Sequence, residues 1–97
     1  MPELNETIHQ PIRLRIMAAL VTLATDEEMD FTTLRKLLDV TDGNLGAHLR
    51  KLEEAGYIAI TKTFVERKPR TYLAATPSGR KIFDQHVAAL KIILNSK

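Results

Sequence analysis

Two short apolar stripes stand on either side of a turn of about three or four residues in the middle of this chain, and that arrangement constrains its fold more than any other feature. Leu34, Leu37 and Leu38 make the first stripe. Leu45, Leu49 and Leu52 make the second, at the i, i+4, i+7 spacing of one helical face. Asp30 or Thr32 stands where a side-chain oxygen would cap the first helix, and Thr41 or Asp42 where it would cap the second. Gly56 follows Glu54-Ala55 at the position where a left-handed residue ends a helix. Asp39-Val40-Thr41 is left between them as a turn of three or four residues, the spacing of a helix-turn-helix.

The flanking segments complete the pattern. Leu4 and Ile8 in residues 1–10 make a short helix or docked arm, and Pro11 suits the first turn of a new helix. From Ile12 to Leu23 the apolar residues Ile12, Ile16, Met17, Leu20, Val21 and Leu23 form a helical stripe. "DEEMDF" interrupts it and reads as a loop. Beyond Gly56, Ile58, Ile60 and Phe64 alternate with Ala59, Thr61 and Thr63, as in a half-buried strand. "ERKPR", polar and holding Pro69, reads as a hairpin tip at 66–70, with a second strand over 71–76. Thr76-Pro77 starts a last helix running to about Leu94.

The order is helix, helix, helix, strand, basic tip, strand, helix. This is a mainly α chain with a small β-hairpin (α+β), a winged helix-turn-helix with an extra C-terminal dimerisation helix over 77–95. With 97 residues and 44% apolar content, residues 1–97 suit a single domain with a thin core. No apolar run approaches the roughly 18 residues of a membrane span, and the N-terminus lacks a signal-peptide layout. With no cysteine, disulfides, thiolate metal sites and cysteine nucleophiles are excluded, and a cytoplasmic location is expected.

"HQPIRLRIMAAL", "DFTTLRKLLDVTDGNLGAHLRKLEEAGYI" and "ERKPRTYLAATPSGRKIF" resemble, in that order, the small winged-helix transcriptional regulators related to the MarR and ArsR families. The likeness spans nearly the whole chain. It implies a regulator that places its second short helix in the major groove of double-stranded DNA.

Net charge is only +2, but its distribution is uneven. "DEEMD" (26–30) is acidic, whereas Lys62, Arg67, Lys68 and Arg70 stand against Glu66 alone, which predicts an acidic side and a basic side. Three cations around Pro69 suit a minor groove or its phosphates, although such runs are also found merely solvated. Arg35, Lys36, Arg13 and Arg15 are weaker phosphate candidates.

On a wheel of about 100° per residue, Gly43, Asn44, Ala47, Arg50 and Lys51 lie opposite the leucine stripe, with Gly46 and His48 on its flanks. Each glycine inside a helix costs about 1 kcal/mol relative to alanine. Two explanations compete for them: close approach of the helix to DNA, or tight packing of the two short helices. Asn44 can bond an adenine edge through its amide, or the helix start instead. His48 can meet a phosphate or a purine N7, or bond within the domain. Thr41 and Lys51 are phosphate candidates, and Asp42 must turn sideways to avoid repelling phosphate.

Ile82, Phe83, Val87, Ala89, Leu90, Ile93 and Leu94 spread over too broad an arc of the last helix for one small domain, with Phe83, Val87, Leu90, Ile93 and Leu94 as the surplus. With Leu4 and Ile8 they are expected to form a homodimer whose recognition helices lie about 34 Å apart, matching a palindromic site. The competing reading covers them within one chain. His9, His48 and His86 are scattered, and no catalytic motif is recognisable, so no enzyme is expected. Asp84 and His86 resemble the zinc pair of some ArsR-type sensors, but "VAALKIILNSK" offers no further ligand, so neither metal nor cofactor is expected. The alternative function is a winged helix used for protein–protein contact. The sequence assigns no effector, operator or sign of regulation.

Overall fold

The computed structural model describes residues 3–96. In chain order these form α1 (Pro11–Val21), β1 (Met29–Asp30), α2 (Phe31–Leu38), α3 (Asp42–Glu54), β2 (Ile58–Val65), β3 (Lys68–Ala75) and α4 (Pro77–Leu94). Side chains cap all four helix starts. The Gln10, Asp30, Thr41 and Thr76 oxygens accept from the backbone N–H of Arg13, Thr33, Asn44 and Gly79 respectively. α1 thus begins at Pro11 and stops two residues before Leu23.

The helix-turn-helix forms as its spacing requires, with Asp39, Val40 and Thr41 between α2 and α3. Asp39 takes the left-handed conformation (φ 54°) that ends α2, a conformation aspartate tolerates better than most residues. α3 ends at Gly56, φ +81°. There the Gly56 N–H donates to the Glu53 carbonyl at 2.9 Å and the Tyr57 N–H to the Leu52 carbonyl at 3.0 Å, a Schellman closure.

The core lies between the helices and one face of the sheet. Ile16, Met17 and Leu20 of α1 meet Leu34 and Leu38 of α2, the Leu45–Leu49–Leu52 stripe of α3, and Ile58, Leu73 and Ala75 from the sheet. Full burial of each large side chain is worth roughly 1.5–3 kcal/mol. Leu37, expected in this stripe, is 59% exposed instead, because the short α2 turns only Leu34 and Leu38 inward.

"DEEMDF" is not wholly a loop. Met29–Asp30 pairs with Leu73 and Tyr72 as the outer strand of a three-stranded antiparallel sheet, order β1-β3-β2. Two residues carry no alternation, so only the tertiary pairing reveals them. The hairpin tip is also shorter than 66–70: Val65 pairs with Lys68, leaving Glu66-Arg67 alone as the turn. Both have positive φ (52° and 67°), the requirement of a type I′ turn. Pro69 therefore lies within β3, opposite Phe64. The pair next to the closing one is not hydrogen-bonded, so the missing proline N–H faces away from β2 and costs no ladder bond.

α4 packs on α1 at its N-terminal end. A side chain at Gly79 would collide with the Tyr57 carbonyl, so glycine is required there. Arg80 reaches back to the carbonyls at and just beyond the end of α1, donating to Val21 at 3.3 Å and Leu23 at 2.9 Å. Residues 3–10 are a docked arm with one turn at 6–8. The Asn5 N–H donates to Nδ1 of the buried His86 (3.1 Å), and its amide donates to the Tyr57 hydroxyl (3.0 Å). Ile8 of this arm is fully buried in the chain's own core and has no surface left for a partner, which removes it from the expected dimer face.

Candidate nucleic-acid interface

Helix α3 presents its N-terminal face to solvent because its leucine stripe turns inward. Thr41, Asp42, Gly43, Asn44, Ala47, Arg50 and Lys51 are exposed, with Gly46 and His48 half-buried on the flanks. Nothing lies within 4 Å of where a Gly43 Cβ would stand, and at Gly46 only the mobile end of Arg50 comes near, at 3.9 Å. Packing between α2 and α3 therefore needs neither glycine.

The polar residues of this face are sorted by their bonds. Thr41 spends a lone pair on the Asn44 N–H at 3.1 Å, which caps the helix and leaves the Asn44 amide on the exposed face. Asp42 does turn sideways: the Arg35 Nε holds its carboxylate at 2.9 Å, tying α2 to α3 and neutralising the acid. His48 accepts at Nδ1 from the Arg13 Nε (3.3 Å), which leaves Nε2 as the N–H donor of a neutral ring. Burial first, and the Arg13 charge second, push the His48 pKa below its ordinary 6.5. Arg13 also bonds the Thr7 carbonyl, so arm, α1 and α3 meet at this histidine.

The hairpin stands beside that face. A groove of about 570 Å³ separates them, walled by Gly46, Arg50 and Glu53 on α3 and by Lys62 and Thr71 on the strands, over a floor of Phe31, Leu49 and Ile60. Strand alternation puts Lys62, Phe64, Pro69 and Thr71 on the groove side of the hairpin. Lys68 and Arg70 lie on the opposite side, and Arg67 is at the tip.

The charges do not separate as expected. Asp30, the last acid of "DEEMD", lies in β1 and pairs with Arg70 at 3.3 Å. The Thr33 N–H chiefly, with Arg70 assisting against a burial penalty, holds the Asp30 carboxyl below its usual value. Acidic and basic segments are thus neighbours in one sheet, and Arg70 already has a protein partner. Lys62, Arg67 and Lys68 remain exposed.

At the far end, Phe83, Val87 and Leu90 are half-buried, whereas Ile92, Ile93 and Leu94 are 55, 41 and 78% exposed. Leu4 is half-buried beside His86. His86 itself turns into the fold, while Asp84, two residues earlier on the same helix, is exposed.

Sequence reasoning missed Arg80, the Asn5–His86–Tyr57 bonds and the exposure of Phe64. The last was hidden because Phe64 continues the alternation of Ile58 and Ile60 past the point where the core ends.

Residues 12–94 match the family described as winged helix DNA-binding domain. The chain is 36% identical over 76 residues to an uncharacterized protein of Methanocaldococcus jannaschii, covering 78% of this chain and 79% of that one. Among solved structures it is similar to a transcriptional regulator homologue from Pyrococcus horikoshii: TM-score 0.84, 31% identity, 94% of this chain and 87% of that one. A regulator assigned to the MarR family, from Enterococcus faecalis, gives a TM-score of 0.73 at 26% identity over 88% of this chain and 74% of that one.

Proposed function

The chain belongs to the winged helix DNA-binding family, with the fold of MarR-like transcriptional regulators, and from that premise we propose that it binds duplex DNA sequence-specifically as a homodimer and regulates transcription from a promoter site. The observation that carries this reading is the free, glycine-bearing N-terminal face of α3, standing open beside a cationic hairpin.

In this reading α3 enters the major groove, where Gly43 and Ala47 let the backbone approach and Asn44 bonds a base edge. Thr41, Lys51 and the His48 Nε2–H address phosphates. Arg67 and Lys68 extend from the hairpin to the minor groove or its phosphates, and Arg70 joins them by exchanging its Asp30 partner. Phe83, Val87, Leu90, Ile93, Leu94 and Leu4 pair two chains, and the exposed apolar end of α4 supports that role. The activity is binding and occupancy rather than catalysis. Among the described residues no helix is long and apolar enough to cross a membrane.

Selection of bound duplexes from a random pool, together with solution mass, tests the reading. A palindromic consensus and a dimer mass are expected. Recovery of unrelated duplexes, or no retained DNA, would favour a winged helix that contacts another protein.

A further inference from the structure

Phe64 is 73% exposed on the groove side of the hairpin, directly opposite Pro69 in the register. We propose that Phe64, braced by Pro69, is an apolar tooth that packs against the deoxyribose wall of the minor groove, with one DNA strand lying in the cleft between α3 and the hairpin. The inference rests on the duplex-binding reading and adds to it a contact that is not electrostatic.

Three observations carry it. First, the ring is presented rather than stranded. At a non-hydrogen-bonded antiparallel pair the two side chains approach most closely, so the fixed pyrrolidine of Pro69 supports the ring from one side. Second, the surroundings select the partner. Lys62 lies two residues away on the same face and Arg67 is at the tip beside Glu66, whereas Lys68 points to the opposite face. An apolar side chain with Lys62 behind it and Arg67 ahead of it complements a surface of phosphates bordering sugar carbons. Third, the reach fits. Phe64 is two positions behind Glu66, about 7 Å along an extended strand, and the minor groove is about 7.5 Å deep. With Arg67 at the groove floor, Phe64 stands level with the sugars at its rim. The strand between the grooves then passes Arg50 on the α3 wall, which also carries Glu53, and Lys62 on the hairpin wall.

Hydroxyl-radical footprinting on a selected duplex, which reports exposure of sugar hydrogens, tests the contact alongside a salt titration. For Phe64→Ala the affinity should fall on the order of tenfold at every salt concentration, with the salt slope unchanged. One patch of sugar protection beside the α3 footprint should vanish, and Phe64→Leu should restore most of it. Lys62→Ala should instead reduce the slope by about one and keep that protection. Thermal unfolding controls for folding, since an exposed ring contributes little to the core. Binding of Phe64→Ala within twofold of the parent, with all protections intact, would overturn the proposal. A change in solution mass without a change in affinity would overturn it too, by placing Phe64 in a protein contact. If the parent chain binds no duplex, the underlying DNA reading fails as well.

Discussion

Single residues on this surface set fold stability against ligand approach, and Gly46 isolates that conflict. A methyl group there meets only the end of Arg50 at 3.9 Å, so Gly46→Ala should raise stability by about 0.5–1 kcal/mol through helix propensity. The same methyl thickens the face that is proposed to enter the groove. Duplex affinity should therefore fall while the urea midpoint rises; an affinity that rises with stability would return Gly46 to a purely structural role. His86 makes a different residue-level prediction. Burial first, and the charge of His9 second, hold its pKa below 6.5, so the folded chain keeps it neutral as acceptor for Asn5. The unfolded chain binds this proton as pH falls through 6.5, and the folded chain only at lower pH. Stability should accordingly be full above about pH 7 and decline below 6.5, levelling off only under the depressed folded value. His48 shifts in the same direction and adds to the slope. Urea midpoints between pH 7.5 and 5 should show the decline, and His86→Asn, which keeps an acceptor near Asn5, should make it shallower. An unaltered slope in that variant would mean that His86 is not the group responsible.

At the scale of elements, the hairpin turn sets charge against conformation. Type I′ turns favour Asn-Gly, yet Glu66-Arg67 occupies both left-handed positions here, where a side chain costs roughly 1–2 kcal/mol. Arg67→Gly should relieve one of these positions and raise the thermal midpoint by several degrees. Under the proposed reading it also removes a phosphate contact, weakening duplex binding and lowering the salt slope by about one. A lower midpoint would show that Arg67 supports the hairpin instead. The same hairpin shows how much the sequence discloses. The caps of α2, α3 and α4, the three-residue turn and the Gly56 closure were legible because each is a local feature of residues a few positions apart, whereas the Gln10 cap of α1 was not read. The exposed face of α3 was legible for the same reason, as the complement of its leucine stripe. The two-residue β1, the Asp30–Arg70 pair and the Arg80 clamp were not, because their partners lie 40 to 59 positions away. Phe64 and Leu37 escaped because periodicity reports a face and not whether the core extends beneath it.

For the whole molecule, the unequal covering of α4 is the feature that one chain leaves unfinished. The described residues span 56 × 26 × 21 Å, and the 18-residue α4 is about 27 Å long. Residues 79–86 of α4 close the fold through Gly79, Arg80 and His86, whereas its last turn holds Ile92, Ile93 and Leu94 out in solvent. Exposed Ile93 and Leu94 continue the face of half-buried Phe83, Val87 and Leu90, whereas Ile92 lies on the opposite side of the helix, and that face is the kind of contiguous patch that subunit contacts cover. Because these last residues support nothing within the chain, charge placed there should leave the monomer folded. Ile93→Asp combined with Leu94→Asp should halve the mass measured by sedimentation at micromolar concentration, with the circular dichroism spectrum intact. A dimer gains by binding two half-sites at once, so loss of the pair should weaken binding to a palindrome by about a hundredfold. Binding to a single half-site should change little, since α3 and the hairpin are untouched. Those two duplexes measured together separate the roles of the helix. If palindrome affinity survives in a chain of halved mass, each domain binds alone and α4 serves another partner. If mass and affinity both stay as in the parent, the pairing surface lies elsewhere on the molecule.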